Sequence, residues 1–536
     1  MREIPGTSAR FGSIGVQSGL NVVLTGATEV DLAGGKTTMT TTGDKAAKAA
    51  ARKARAGENG VDTVPPLAKL FPLGLQHVLA LYAGAVAVPL IVGGALGYSA
   101  QDLAFLISAD LFIAGIATIV QSVGFWRFGV RLPLMQGVTF AAVGPMIAIG
   151  TQHGIQTIFG SVIACGLFMI LVAPFFAQLL RFFPPIVTGT VILIIGLSLM
   201  RVAAGWITTG STADEPGAPP LNVAFAFGTL LVIVLIERFA PAAIARVSVL
   251  LGLVIGTIAA LFVPGMVDWS NVGEAGWFAV VTPFHFGLPV FEFASILSMV
   301  IVGIVIMTET TGDMVAVGEI VEKPVNRRQL ADGLRADGLG TVLGGIFNTF
   351  PYTAFAQNVG LVSLTGVRSR YVATMAGAIL VILGVVPKVS AIVEGVPRAV
   401  LGGAGIALFG MVAASGIRTL AKVKFNNKNV LIVALSVGVA LLPTVSPTIY
   451  DRFPTWFQLI FDSGISAGAI VAILLNLLLN SSDMRAQAAT EPALGAYDAV
   501  RGPAAAALVH PEAEGTGLIP TAALDDPDGK KSAPSA

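Results

Sequence analysis

The chain has 536 residues, of which 54% are hydrophobic and only 12% charged, with a mean hydropathy of +0.82. These proportions exclude an ordinary soluble domain and indicate a polytopic membrane protein. The net charge of +1 implies no nucleic-acid partner, and a single cysteine, Cys165, excludes an intramolecular disulfide framework.

Residues 1–66 lack long apolar runs, are rich in Gly, Thr and Ala, and carry the basic patch Lys45, Lys48, Arg52, Lys53 and Arg55. No signal-peptide pattern is visible there, and the stretch is expected to be a disordered cytoplasmic arm. Residues 67–480 are expected to form the membrane domain. They hold fourteen apolar segments at or near the roughly 20 helical residues that a hydrocarbon core requires. These lie near 74–94, 102–122, 133–150, 155–177, 186–203, 221–239, 245–263, 296–318, 330–347, 352–367, 370–390, 396–416, 427–443 and 460–480. Residues 481–536 are Ala-, Pro- and Asp-rich and are expected to be a disordered cytoplasmic tail.

Charge supports that count, because cytoplasmic loops concentrate Lys and Arg. With the N-terminus inside, the even-numbered loops hold Arg127 and Arg131, then Arg181, Arg238 and Arg246, then Lys323, Arg327 and Arg328, then Arg368 and Arg370, then Arg418, Lys422, Lys424 and Lys428. The odd-numbered loops are nearly bare, with Lys388, Arg398 and Arg452 as the exceptions. Both termini are thus expected in the cytoplasm, and the protein in the plasma (inner) membrane. Fourteen spans divide into seven and seven, and an odd number per half turns the second half over, which is the arithmetic of an inverted repeat.

Such repeats place the substrate where corresponding helices are broken. Span 3, RLPLMQGVTFAAVGPM, mixes Pro133, Gln136, Gly137, Thr139, Gly144 and Pro145 with β-formers; its counterpart, span 10, NTFPYTAFAQNVG, does the same with Pro351, Tyr352, Thr353, Gln357, Asn358 and Gly360. Short extended segments are therefore predicted in both, lining one shared cavity.

Several polar residues are costly at this depth and read as functional by default. Glu309 and Asp313, in ETTGD of span 8, lie four apart and share a helix face. That face must look inward, where a carboxyl carries a proton or accepts hydrogen bonds from a substrate N–H; the plainer alternative is a structural pair satisfied by Thr hydroxyls and backbone amides. Gln357 offers a donor and an acceptor side by side, suited to the edge of a planar heterocycle. On an extended backbone its neighbour Asn358 would point into the scaffold, either capping the following helix or reaching the substrate. Asp337 in span 9 is expected to pair with a hydroxyl or backbone amide on the site helices. His77 opens span 1 as a packed or functional histidine, and Phe140, beside the break in span 3, offers a stacking face. No phosphate-binding glycine loop, zinc spacing or Ser-His-Asp set is present, so no enzyme activity, catalytic residue, metal site or cofactor is expected.

At QNVGLVSLTGVRSR, Gln357 to Arg370, the sequence resembles the signature of the nucleobase-ascorbate transporter family, also called the nucleobase:cation symporter 2 family. Gln76-His77 and ETTGD match two further marks of that family, so the likeness spans roughly 67–480. The wording FPYTAFAQNVGLVSLTGVRSR is most similar to bacterial xanthine and uric acid permeases, and less to uracil members, which carry an acid where this chain has Gln357. The resemblance implies an all-α homodimer in the lipid bilayer. Each protomer would have a core domain, spans 1–4 and 8–11 (74–177 and 296–390), moving like an elevator against a gate domain, spans 5–7 and 12–14 (186–263 and 396–480). It implies import of an oxopurine, xanthine or uric acid, held by Glu309 and Gln357, with Phe140 stacking and a backbone contact from Phe140 or Ala356. Asp313, Asp337, His77, Asn358 and Thr139 would support coupling and site geometry, the coupling ion being H⁺, or Na⁺ alternatively. The alternatives are another nucleobase such as uracil or, more distantly, an inorganic anion such as sulfate or bicarbonate, whose site would offer positive charge rather than Glu309.

Overall fold

The computed structural model describes residues 60–211, 215 and 217–481; the expectations for the rest of the N-terminal arm and for the tail lie outside these residues. In chain order the main elements are α1 (Leu67–Ala95), α2 (Ala100–Val123), β1 (Gln136–Val138), α3 (Val143–His153), α4 (Ile155–Leu179), α5 (Pro185–Ile207), α6 (Pro220–Phe239) and α7 (Ser248–Ala260). The second half comprises α8 (Phe293–Ile320), α9 (Arg327–Ile346), β2 (Tyr352–Ala354), α10 (Ala356–Thr365), α11 (Arg370–Gly384), α12 (Pro387–Glu394), α13 (Arg398–Leu420), α14 (Asn427–Val445), α15 (Thr455–Phe461) and α16 (Gly464–Leu479).

Among the described residues, eight helices are long and apolar enough to cross a membrane, or up to ten if the bent pairs α11–α12 (80°) and α15–α16 (82°) each count as one. The other segments fall short for visible reasons. Helices α3, α7 and α10 have 11, 13 and 10 residues, and α9 carries Arg327, Arg328, Asp332, Arg335 and Asp337. Pro387, lacking an N–H, sits in the first turn of α12 and suits the bend that separates it from α11.

At two close helix crossings, glycines face each other. A Cβ on Gly115 of α2 would lie 2.5 Å from the carbonyl of Gly377 in α11, and one on Gly166 of α4 would lie 2.7 Å from that of Gly338 in α9. Small residues let backbones pack without intervening side chains, the usual basis of helix association in lipid. Cys165 is buried beside the second of these crossings, as expected of a small packed residue.

The two extended segments pair with each other, antiparallel, in the register Gln136↔Ala354, Gly137↔Thr353 and Val138↔Tyr352. Thr139 N–H donates to Pro351 O (2.9 Å) and Phe355 N–H to Met135 O (3.0 Å), lengthening the ribbon at both ends. Both strands are fully buried, so their outward N–H groups need partners that water cannot supply. Threonines on three helices supply them: Thr118 Oγ1 of α2 accepts from Gln136 N–H (2.9 Å), Thr341 Oγ1 of α9 from Tyr352 N–H (3.1 Å), and Thr310 Oγ1 of α8 from Ala354 N–H (3.1 Å).

Residues 60–66, assigned above to the N-terminal arm, include a segment tied to the helical body. Asp62 pairs with Arg370 (2.7 Å) and Lys323 (3.1 Å), while Arg370 N–H donates to Val61 O (3.0 Å).

Candidate functional site

A cavity of about 1320 Å³ opens between the strand pair with α8 and α10 on one side and α5 with α13 on the other. Thr139, Phe140, Glu309, Asp313, Ala356 and Gln357 all line it, so six of the nine candidate residues meet on one surface. The remaining three, His77, Asn358 and Asp337, are buried behind that surface, at 3%, 1% and 0% exposure.

Gln357 and Asn358 do not lie on extended backbone, contrary to expectation. The strand ends at Ala354 and α10 begins at Ala356, so both occupy the first turn of a helix. Successive helical residues diverge by about 100°, and the outcome is the separation foreseen for a strand: Gln357 is open to the cavity and Asn358 is buried. Asn358 does not cap α10, whose start has no side-chain cap. Its Nδ2 instead donates to the backbone carbonyl of His77 (3.0 Å) and lies 3.0 Å from the His77 ring Nδ1. An amide nitrogen only donates, so Nδ1 is the accepting nitrogen of that ring. The Gln76-His77 pair in α1 and the Gln357-Asn358 pair in α10 are thereby joined by two hydrogen bonds, 281 residues apart.

On α8, Glu309 and Asp313 share the cavity face. Among the described residues, Asp313 Oδ2 has no hydrogen-bond partner. Thr310, one residue after Glu309, bonds with the hydroxyl of Thr353 (3.1 Å) and so couples the carboxylate-bearing helix to β2. Asp337 accepts from Gln121 Nε2 (2.9 Å). That partner is a carboxamide from α2.

The ring of Phe140 meets Phe409 of α13 edge-on at 5.7 Å and is 8% exposed. Thr139 Oγ1 accepts from Ala141 N–H (3.1 Å) and starts the turn that presents this ring. Behind it Phe355 fills a slot that only glycines leave open, since a Cβ on Gly137 or Gly84 would come within 2.6 or 2.8 Å of its ring. Among the described residues no three His, Cys, Asp or Glu side chains are grouped to hold a metal ion.

This geometry coincides with a match to a family model: residues 68–449 fit Xan_ur_permease, a permease family, the nucleobase-ascorbate transporter family. The chain belongs to that family. The permease is 50% identical over 414 residues to the nucleobase transporter PlUacP of Paenibacillus larvae, a match covering 76% of this chain and 94% of the relative. It is 46% identical to the xanthine permease of Bacillus subtilis (77% and 94% covered) and 45% identical to the uric acid transporter UacT of Escherichia coli (78% and 88% covered). Among solved structures, the transmembrane domain of a cyanobacterial bicarbonate transporter, BicA, matches with a TM-score of 0.53 at 17% identity, covering 75% of this chain and 97% of that one. At that identity the likeness concerns the fold alone. The permease is a multi-pass membrane transporter.

Some residues that build the site escaped the sequence reading. Gln121 and Asp110 of α2 are both 0% exposed and reach the site elements from behind. Their signal is a carboxylate and a carboxamide inside the apolar run LISADLFIAGIATIVQSV, which, unlike spans 3 and 10, holds no Pro. Thr188, Met411 and Ser415, on the opposite wall of the permease cavity, carry no distinguishing sequence pattern.

Proposed function

We propose that this permease imports an oxopurine, xanthine or uric acid, by proton symport. The observation that carries this is the opening of the Glu309 carboxylate and the Gln357 carboxamide onto one cavity beside the ring of Phe140. A planar heterocycle with several N–H and C=O groups at its edge matches an acceptor, a paired donor and acceptor, and an aromatic face. The Ala356 backbone, at the exposed first turn of α10, adds a further contact. Asp313 takes part in coupling to H⁺, and Asp337, His77, Asn358 and Thr139 hold the site in shape. The relatives named xanthine permease and uric acid transporter support this substrate class.

Fourteen spans in two inverted halves are part of the same proposal. Advancing seven spans converts the α2–α11 crossing into the α4–α9 crossing, and both are made at facing glycines; β1 and β2 are likewise equivalent and pair with each other. With both termini cytoplasmic, the cavity, whose lining includes Arg327, Arg418 and Lys422, opens inward. Residues 74–177 and 296–390 then move as a core against a gate of 186–263 and 396–480 in an elevator-like step, in a homodimer.

Uptake of radiolabelled xanthine into a purine-transport-deficient bacterium expressing the chain tests the proposal. Saturable uptake that excess uric acid blocks, uracil leaves alone and a protonophore collapses is expected. No uptake by correctly inserted protein, or block by uracil, overturns the substrate assignment, and uptake indifferent to the protonophore overturns the coupling.

A further inference from the structure

Asp110 lies in the middle of α2, 0% exposed, in the apolar run LISADLFIAG. A carboxyl there costs free energy that a leucine would not, and no role in the site described above accounts for it. Its Oδ1 accepts from the hydroxyl of Tyr352 at 2.7 Å and from that of Thr349 at 3.2 Å, and the same Tyr352 hydroxyl lies 3.0 Å from the Asp110 carbonyl oxygen. Oδ2 has no partner. The carboxyl is thus spent on one tyrosine and the threonine three residues before it.

Tyr352 is the first residue of β2 and is itself 0% exposed. Its ring lies against α9 where Gly344 and Gly340 leave room, with a Cβ at either approaching Tyr352 to 3.2 or 3.5 Å. Its N–H is held by Thr341 and its backbone is paired with Val138. Two residues further on, Ala354 N–H is held by Thr310, the neighbour of Glu309. Strand β2 is therefore fastened at its far end to the helix of Glu309 and at its near end to α2 through Asp110, and Gln357 follows directly in α10.

We infer that Asp110 is a positioning residue for the solute site: by clasping the Tyr352 hydroxyl it fixes β2, and so sets where Gln357 stands relative to Glu309. The inference rests on the transport function proposed above for its uptake readout, and on the clasp alone for a second one.

Tyr352→Phe removes a single oxygen and keeps the packed ring, so the variant retains the volume on which folding depends. KM for the transported oxopurine is expected to rise about five- to tenfold, in line with loss of a single intramolecular hydrogen bond, with the maximal rate per transporter in the membrane within about twofold of the parent. Asp110→Ala should raise KM by a similar factor, and the double variant should be no worse than either single one, since both break the same contact. Asp110→Asn, whose amide oxygen still accepts from the tyrosine, should restore the parental KM. A purely architectural role predicts instead less protein in the membrane at unchanged KM, and parental KM in both Tyr352→Phe and Asp110→Ala overturns the inference. The second readout is amide hydrogen exchange in the detergent-solubilised full chain. Faster exchange over 352–358 in Tyr352→Phe, with α5 unchanged, supports the clasp even if the parent chain takes up no oxopurine, an outcome that would remove the proposed function alone. Exchange over 352–358 equal to the parent overturns the clasp.

Discussion

The two walls of the cavity are built on different principles. On one, side-chain hydrogen bonds tie β2 to α8 (Thr310 to Thr353 and Ala354), α10 to α1 (Asn358 to His77) and, behind them, α2 to α9 (Gln121 to Asp337). On the other, α5 and α13 meet through close backbone approach, where a Cβ on Gly196 would lie 2.4 Å from Ala413 N and one on Gly416 would lie 2.4 Å from Leu193 N. Midway along its helices this wall offers the cavity Ile192, Ile195, Met411 and Val412; its polar groups, Thr188, Ser415, Arg418 and Thr419, lie toward the helix ends, with Thr188 donating its hydroxyl to the Phe183 carbonyl at the start of its own helix. Directional bonds fix the orientation of polar atoms, which recognition needs; apolar close packing fixes only shape, which suffices for a surface that encloses. Recognition is accordingly proposed for the hydrogen-bonded wall.

The largest expected effect is on that wall. Glu309→Gln should reduce oxopurine uptake by about 100-fold or more, the loss expected when a hydrogen bond to a charged group is removed and its partner stranded. Uptake is to be measured at matched membrane abundance, and full-rate uptake would sink the assignment. Gln357→Glu should weaken xanthine uptake by about tenfold and alter the competitor profile, because two acceptors replace a donor and an acceptor at that edge; an unchanged profile removes Gln357 from recognition.

A third variant tests the network behind the wall. Gln121→Leu strands Asp337 Oδ1 and also the N–H of Val130, which donates to Gln121 Oε1 at 2.9 Å. Each stranded group should cost about 1 to 3 kcal/mol, visible as a lower midpoint of thermal unfolding in detergent, and an unchanged midpoint would mean the network contributes little. The smallest effect belongs to the opposite wall. Met411→Leu, a volume-conserving change costing less than about 1.5 kcal/mol, should leave KM within about threefold of the parent. A tenfold shift would place recognition on the apolar wall and break the comparison.

Much of the site was legible before the fold. Glu309, Asp313, Gln357 and Phe140 were visible because polar or Pro- and Gly-interrupted sequence inside long apolar runs carries a cost that needs a reason. The same rule applied to α2 would have found Asp110 and Gln121; what it could not supply was their partners, Tyr352 and Asp337, which lie 242 and 216 residues away.

The sequence by itself determined that the chain is a membrane protein, where its polar interruptions fall, and which family signature they carry, because hydropathy and local motifs are properties of contiguous residues. Only the tertiary structure decided that the two extended segments pair in the register Gln136↔Ala354, that threonines from three helices satisfy their free edges, and that Asn358 turns to His77 rather than to its own helix. Each of these depends on which distant groups the packing brings within about 3 Å, since hydrogen bonds weaken steeply beyond that reach, and no local pattern encodes such a distance.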